Sequence, residues 1–271
     1  MMRVVQSYNG AIDDQAEVTR WMTALSVIYL SRLGVHSVLY VDEQGRRNLG
    51  GIVDMYSEVR ALTIPDWVDR RCFAAAKFFA MENEELGVVH IDNDVLLKSK
   101  KVLDKIDALR STCDVVVQGI ERYLGAPYDL SDYTAAGYRF GIGISNTIPI
   151  NAGVMCITNE ALREAYYAQY FDAIMYMSKW LRGKVMSVCP DYAPEQAVIH
   201  ALCVENGYKI GEITDSPTIK GCCRQVEELG YAHFWGGSKV KQIEQIKSRA
   251  RELSGMDLDK NGTNVNKFVM A

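Results

Sequence analysis

Short apolar runs separated by helix-length segments are the strongest constraint on what this chain can fold into. Arg3 to Tyr8 (RVVQSY), Ser37 to Val41 (SVLYV), Gly87 to Ile91 (GVVHI) and Asp114 to Gln118 (DVVVQ) read as buried strands bounded by turn-forming residues. Between them, Ala16 to Leu33, Asp66 to Glu84 and Lys101 to Leu109 carry helical patterning, with Gly34 as a stop for the first. Two strands joined through a long helix form the crossover unit of a parallel sheet. The first 120 residues therefore predict an α/β fold.

The rhythm breaks over residues 119 to 150, where Gly119, Gly125, Pro127, Gly137, Gly141, Gly143 and Pro149 are scattered among Tyr123, Tyr128, Tyr133 and Tyr138. So long an aperiodic insert reads as a functional loop or as a surface excursion. Strand character returns at Asn151 to Ile157. The helix from Asn159 to Leu181 then carries Tyr166, Tyr170, Ile174, Met177 and Leu181 as a core-facing stripe. Pro194 sits in the first turn of a helix to about Asn206, and Tyr208 to Ile213 and Tyr231 to Trp235 are further strands. No repeat or linker interrupts the chain, so residues 1–254 are expected to form one domain. The polar segment 255–271 reads as a mobile tail.

A net charge of −4 gives no general footprint for nucleic acid or an anionic membrane, so an anionic substrate needs a metal ion or a few local cations. Seven cysteines without a C-x-x-C pair read as reduced thiols, the adjacent Cys222 and Cys223 included. No charged n-region and apolar h-region opens the chain. The most apolar helical stretch, Trp21 to Val35, includes Ser26, Ser31 and Arg32, which argues against a transmembrane span. A cytoplasmic protein is expected.

The chemistry concentrates first in Val88-Val89-His90-Ile91-Asp92-Asn93-Asp94-Val95-Leu96-Leu97. Along an extended backbone Asp92 and Asp94 fall on one side, and a buried strand ending there sets both at the carboxyl edge of the sheet. Carboxylate oxygens suit Mg²⁺ or Mn²⁺, which also take oxygens from a diphosphate. A solvated acidic turn would look the same, and phosphatases of the haloacid dehalogenase type also carry Asp-x-Asp after a strand. Their motif lies near the first strand, whereas this one comes later in the chain. The second concentration is Tyr231-Ala232-His233-Phe234-Trp235-Gly236-Gly237-Ser238-Lys239. Its imidazole can join two carboxylates on a Mn²⁺-like ion, its glycines allow close backbone approach, and its lysine can meet a phosphate. Taken alone, a histidine in such a place is more often structural.

Asp92-Asn93-Asp94, Asn151-Ala152-Gly153-Val154, Glu195-Gln196 and His233-x-x-Gly236-x-x-Lys239, in this order, resemble the landmarks of the glycogenin and lipopolysaccharide galactosyltransferase family, glycosyltransferase family 8. The resemblance spans roughly residues 3 to 240 and implies a GT-A-like, Rossmann-type mixed sheet, mostly parallel and flanked by helices. It implies Asp92, Asp94 and His233 as metal ligands, with Mn²⁺ the usual ion. Gly236 and Lys239 would contact the donor diphosphate, Tyr8 would stack on or edge the base, and Lys77 and Asn93 would contact the donor. Asn151 would sit by the donor sugar, with Glu195-Gln196 beside the reacting carbon. Glu195 stands where the family usually carries Asp, Phe234-Trp235 precede Gly236, and no Pro-Trp follows Lys239.

The implied reaction moves a sugar, with retention of configuration, from a nucleotide-sugar donor, a UDP-sugar by resemblance, to an acceptor. The sequence leaves open whether that acceptor is a glycan, a lipid-linked sugar or a protein. Two rivals stand beside it. A catalytically idle nucleotide-sugar-binding protein would share the fold. A sugar-phosphate nucleotidyltransferase would want a Gly-rich, Arg-containing loop after the first strand, and Val5-Gln6-Ser7-Tyr8-Asn9-Gly10 is not one.

Overall fold

The computed structural model describes residues 2–11, 13, 15–124, 129–144, 147–182, 190–234 and 238–254, without the side chains of Ser238 and Lys239. The expected tail 255–271 lies outside the described residues.

The chain opens as predicted. β1 (Arg3–Tyr8) leads into α1 (Ala16–Arg32), which returns it to β2 (His36–Val41) in parallel, with Arg3 opposite His36 and Tyr8 opposite Val41. α2 (Glu43–Leu49), β3 (Glu58–Ala61), α3 (Ala75–Glu82), β4 (Val89–Ile91), β5 (Val95–Leu97), α4 (Lys100–Arg110) and β6 (Val115–Ile120) follow. Next come α5 (Ser131–Ala136), β7 (Ile150–Ile157), α6 (Glu160–Trp180), α7 (Tyr192–Gln196), α8 (Val198–Asn206) and β8 (Ile210–Glu212). The described chain closes with α9 (Ile219–Leu229), β9 (Tyr231–His233), α10 (Ser238–Lys241) and α11 (Ile243–Ser254).

Seven of these strands make one sheet in the order β3-β2-β1-β4-β7-β6-β8, while β5 and β9 pair apart from it. The pairs β3-β2, β2-β1, β1-β4 and β6-β8 are parallel, and β7 runs against both of its neighbours. This is the mixed, mostly parallel α/β sheet that was expected. Reversal of β7 alone brings its amino end to the edge where β1, β4 and β6 end. Open α/β sheets bind ligands outside the carboxyl ends of their strands.

Helices cover both faces. Phe78 of α3 stacks on Tyr170 of α6, their ring centroids 3.3 Å apart, over Val117 and Met155 of the sheet. The predicted α6 stripe of Tyr166, Tyr170, Ile174, Met177 and Leu181 is fully buried. On the other side α1 packs Trp21, Leu25 and Ile28 among sheet residues, with Ile246, Ala250 and Leu253 of α11 in the same cluster. A helix buried between a sheet and another helix needs apolar residues on most sides, hence the near-continuous burial from Trp21 to Ile28. Among the described residues no helix is long and apolar enough to cross a membrane.

The structure departs from the sequence reading in three places. The helix expected from Asp66 starts only at Ala75. Asp69 accepts from the Arg71 backbone and pairs with its guanidinium, the Asp69 amide is held by Ser178 Oγ, and the Ala74 amide donates to Asp191. These side chains give the backbone an alternative to helix. Asp42, among the turn-forming residues expected to bound the strand Ser37 to Val41, caps α2 by accepting from Gly45 N and also takes Gly10 N, tying two loops together. In the Tyr-rich insert, Tyr133 and Tyr138 are buried in a cluster against α6 with Ala173, Met177 and Leu181. They are core, and Tyr128 lies outside the described residues.

Candidate active site

β4 stops at Ile91, and Asp92 to Val95 form a tight turn in which Val95 N donates to Asp92 O at 3.0 Å. The two aspartates therefore converge through a turn, not by lying on one side of an extended strand. Gln6 Nε2 donates to Asp92 O at 3.2 Å, and Asn93 Nδ2 to Ser7 O at 2.8 Å, so β1 holds the turn from beneath. Directly after the turn, β5 pairs antiparallel with β9, setting Val95 opposite His233, and Phe234 N donates to Asp94 O at 3.0 Å. This short ribbon brings a histidine from far along the chain to the Asp-Asn-Asp turn.

The ligand-capable atoms of Asp92, Asp94 and His233 all lie within 4.8 Å of one another, and His233 Nε2 is 3.3 Å from Asp94 Oδ1. Adjacent ligands of a cation with bonds of roughly 2.1 Å sit about 3 Å apart, so the spacing fits a small divalent ion. Two carboxylates and an imidazole, with no thiol, suit Mg²⁺ or Mn²⁺. An unprotonated imidazole nitrogen and a carboxylate oxygen are both acceptors, and a cation between them would satisfy both, as would a proton on the nitrogen. The residues fit the implied metal.

Lys77 is the second centre. Its side chain is 4% exposed, and Nζ meets Asp92 Oδ1 at 2.9 Å, Glu195 Oε1 at 2.5 Å and the Ala152 carbonyl at 2.9 Å. Burial disfavours the charged ammonium, yet Asp92 and Glu195 together hold its pKa above the ordinary value. Glu195 is itself buried, and burial raises its carboxyl against the pull of Lys77. Among the described residues, Asp92, Asp94 and Glu195 bring three carboxyl groups close to the Lys77 ammonium. A carboxylate has two oxygens, so the bond to Lys77 leaves Asp92 one for a cation.

A cavity of about 660 Å³ opens over these groups, with Asn93, Asn151, Glu195 and Gln196 also in its lining. Glu195 is locked against Lys77 and Tyr166, whereas Gln196 is only partly buried and is the better placed of the pair to meet a substrate. Asn151 is committed at both ends of its amide, Nδ2 donating to Glu121 Oε1 at 3.1 Å and Oδ1 accepting from Gly153 N at 3.1 Å. Tyr8 borders the cavity but is 4% exposed, its hydroxyl donating to Asp13 and accepting from Asn48, and burial raises its pKa. Its ring is a floor more than a free stacking platform. Gly236 lies outside the described residues, and Lys239 is described only as backbone of α10.

Two residues that sequence reasoning passed over belong to the site. Glu121 borders the cavity beside Asn151, and burial raises its carboxyl against hydrogen bonds from Asn151 and Tyr123. Gln118 is 6% exposed, and its Oε1 accepts from both His233 Nδ1 and the Tyr231 hydroxyl. A polar residue closing the apolar run Asp114 to Gln118 at the ligand-binding edge was the available signal for it.

No protein-family model matches the sequence, and no curated protein sequence matches it. Solved structures similar to this one include a galactosyltransferase, LgtC, in complex with donor and acceptor sugar analogs, at 13% identity. That alignment covers 93% of this chain and 96% of that one, with a TM-score of 0.47. The apo structure of WbbM, a bifunctional glycosyltransferase, is 11% identical over 92% of this chain and 51% of that one, with a TM-score of 0.49. An inositol-1-phosphate CTP transferase from T. maritima is 14% identical over 93% of this chain and 97% of that one, with a TM-score of 0.43.

Proposed function

We propose that this chain is a divalent-cation-dependent glycosyltransferase of the family 8 kind, with residues 1–254 as one catalytic unit and a UDP-sugar as donor. One observation carries the reading: His233, remote in sequence from Asp92 and Asp94, meets them at the edge of a cavity that Lys77, Asn151 and Glu195-Gln196 also border. The reading is supported by residues of four separate sequence landmarks, the fourth through His233 alone, lining one cavity.

As a glycosidic bond to a diphosphate breaks, negative charge grows on the leaving group. A cation held by Asp92, Asp94 and His233 would supply Lewis-acid stabilisation of that charge. Lys77 keeps Asp92 and Glu195 fixed, so the ligand set is ordered before a donor arrives. The Gln196 amide, beside Glu195 in the cavity lining, would lie against the face of the sugar as positive charge develops there. Lys239 and Gly236 are assigned to the diphosphate on the resemblance.

The test is release of UDP from a panel of UDP-sugars with Mn²⁺, in wild type and Asp94→Ala. Slow donor hydrolysis that disappears in the variant is expected. Donor binding without turnover would leave a binding protein, and formation of a nucleotide sugar from a nucleoside triphosphate and a sugar phosphate, with release of pyrophosphate, would make the chain a nucleotidyltransferase.

A further inference from the structure

We propose that Gln118 is a positioning residue for the cation site, fixing the proton of His233 on Nδ1 and so turning the Nε2 lone pair toward Asp94. The inference rests on the cation-dependent reading above and goes beyond it, since the landmarks that suggested that reading do not include Gln118.

The geometry begins with an irregularity in the sheet. Along β6 and β7, Val117 faces Met155 but Gly119 faces Asn151, so the ladder slips at Gln118. Such slips re-aim side chains beside ligand sites. The backbone of Gln118 is fixed from the other side, where its carbonyl accepts from Thr214 N at 2.8 Å and Thr214 Oγ1 at 3.0 Å. Its side-chain oxygen then receives His233 Nδ1 at 2.8 Å together with the Tyr231 hydroxyl. Tyr231 and His233 sit on alternate positions of β9, so both point to one side of the ribbon and reach one acceptor.

An amide oxygen has two lone pairs, and two donors use both. A neutral imidazole carries one proton, so a hydrogen bond from Nδ1 to that oxygen leaves Nε2 as an acceptor, 3.3 Å from Asp94 Oδ1. Gly153, in the β7 stretch opposite the slip, makes the room this needs. A β-carbon on Gly153 would lie 2.6 Å from His233 Cε1, 2.8 Å from Nδ1 and 2.9 Å from Gln118 Oε1, so only glycine leaves the imidazole and amide in place. Partners of this kind orient histidine ligands, and losing one costs roughly 10- to 100-fold in metal affinity.

The test compares wild type with Gln118→Met, Gln118→Glu and Tyr231→Phe, by Mn²⁺ titration calorimetry and by ¹⁵N NMR of the imidazoles in metal-free protein at alkaline pH. The chain has four histidines, so His233 is assigned by substitution. Expected are a 10- to 100-fold weaker Mn²⁺ affinity in Gln118→Met, affinity kept in Gln118→Glu, which can only accept, and little change in Tyr231→Phe. Wild type and Gln118→Glu should show His233 protonated on Nδ1, and Gln118→Met a shift to Nε2. Thermal unfolding in EDTA reports folding separately. If wild type binds Mn²⁺ and Gln118→Met binds it equally well, or if Gln118→Glu fails as badly as Gln118→Met while folded, the role of Gln118 is refuted. If wild type binds no Mn²⁺, the cation-dependent reading itself falls.

Discussion

Replacing Lys77 by Met tests whether the ammonium holds the site together. The variant keeps the length of the chain and removes the charge that meets Glu195 Oε1 at 2.5 Å and Asp92 Oδ1 at 2.9 Å. Asp92, about one third exposed, can recover hydration, but Glu195 at 5% cannot. Removing one partner of a buried pair costs about 3–5 kcal/mol, most of it the burden of the charge left behind. For a domain of this size that is a fall of roughly 10 °C in Tm. The assay is urea unfolding in EDTA, so that bound metal does not contribute. The pH dependence has a definite sign. Burial already raises Glu195 above its ordinary 4.5, and loss of Lys77 raises it further. A raised carboxyl favours the folded state only while protonated, so the deficit of the variant is greatest near neutral pH and shrinks as pH falls toward 4.5. Adding Glu195→Met should recover most of the stability and none of the activity. A loss below about 1 kcal/mol for Lys77→Met, or a double variant no more stable than the single one, would refute the argument.

Gly153→Ala should weaken Mn²⁺ binding by about 10- to 100-fold and cost roughly 1–3 kcal/mol of stability from crowding, because its β-carbon would press on His233 at 2.6 Å; calorimetry showing wild-type affinity would contradict this. Mn²⁺ at one hundred times its Kd should stabilise the wild type by about 2.7 kcal/mol in a thermal melt, and an equal shift in Asp94→Ala would move the cation elsewhere. Tyr8→Phe removes bonds to Asp13 and Asn48 and should cost about 1 kcal/mol. A much larger rise in donor KM than that loss explains would instead mark the hydroxyl as a donor contact.

The alternation of strands and helices was legible because it depends on local patterning, and the buried stripe on α6 is the clearest case. The Asp-Asn-Asp turn was legible for the same reason, though it works through a reversal after β4 and not along a strand. What escaped the sequence depends on contacts between distant segments. β5 and β9 are three residues each, too short to carry a period, and their pairing decides where His233 goes. Residues 66–74 have helical patterning but give their amides to Ser178, Asp69 and Asp191. Gln118 and Glu121 look like the frayed end of a strand until β7 is laid against them.

One local irregularity accounts for much of the site. Were β6 and β7 paired without the slip at Gln118, each backbone group near Ala152 would face a ladder partner. Instead the Ala152 carbonyl accepts from Lys77 and the bare α-carbon of Gly153 leaves room for His233, while on the β4 side the Gly153 carbonyl accepts from Asp92 N at 2.9 Å, continuing the β4-β7 register. The ammonium, the first aspartate and the imidazole are thus all placed against the same three residues of β7, Ala152 to Val154, with Ile91 opposite Val154. A regular sheet could have carried the same side chains without bringing them together. The arrangement of the site therefore follows less from which residues the chain contains than from where its antiparallel strand departs from register.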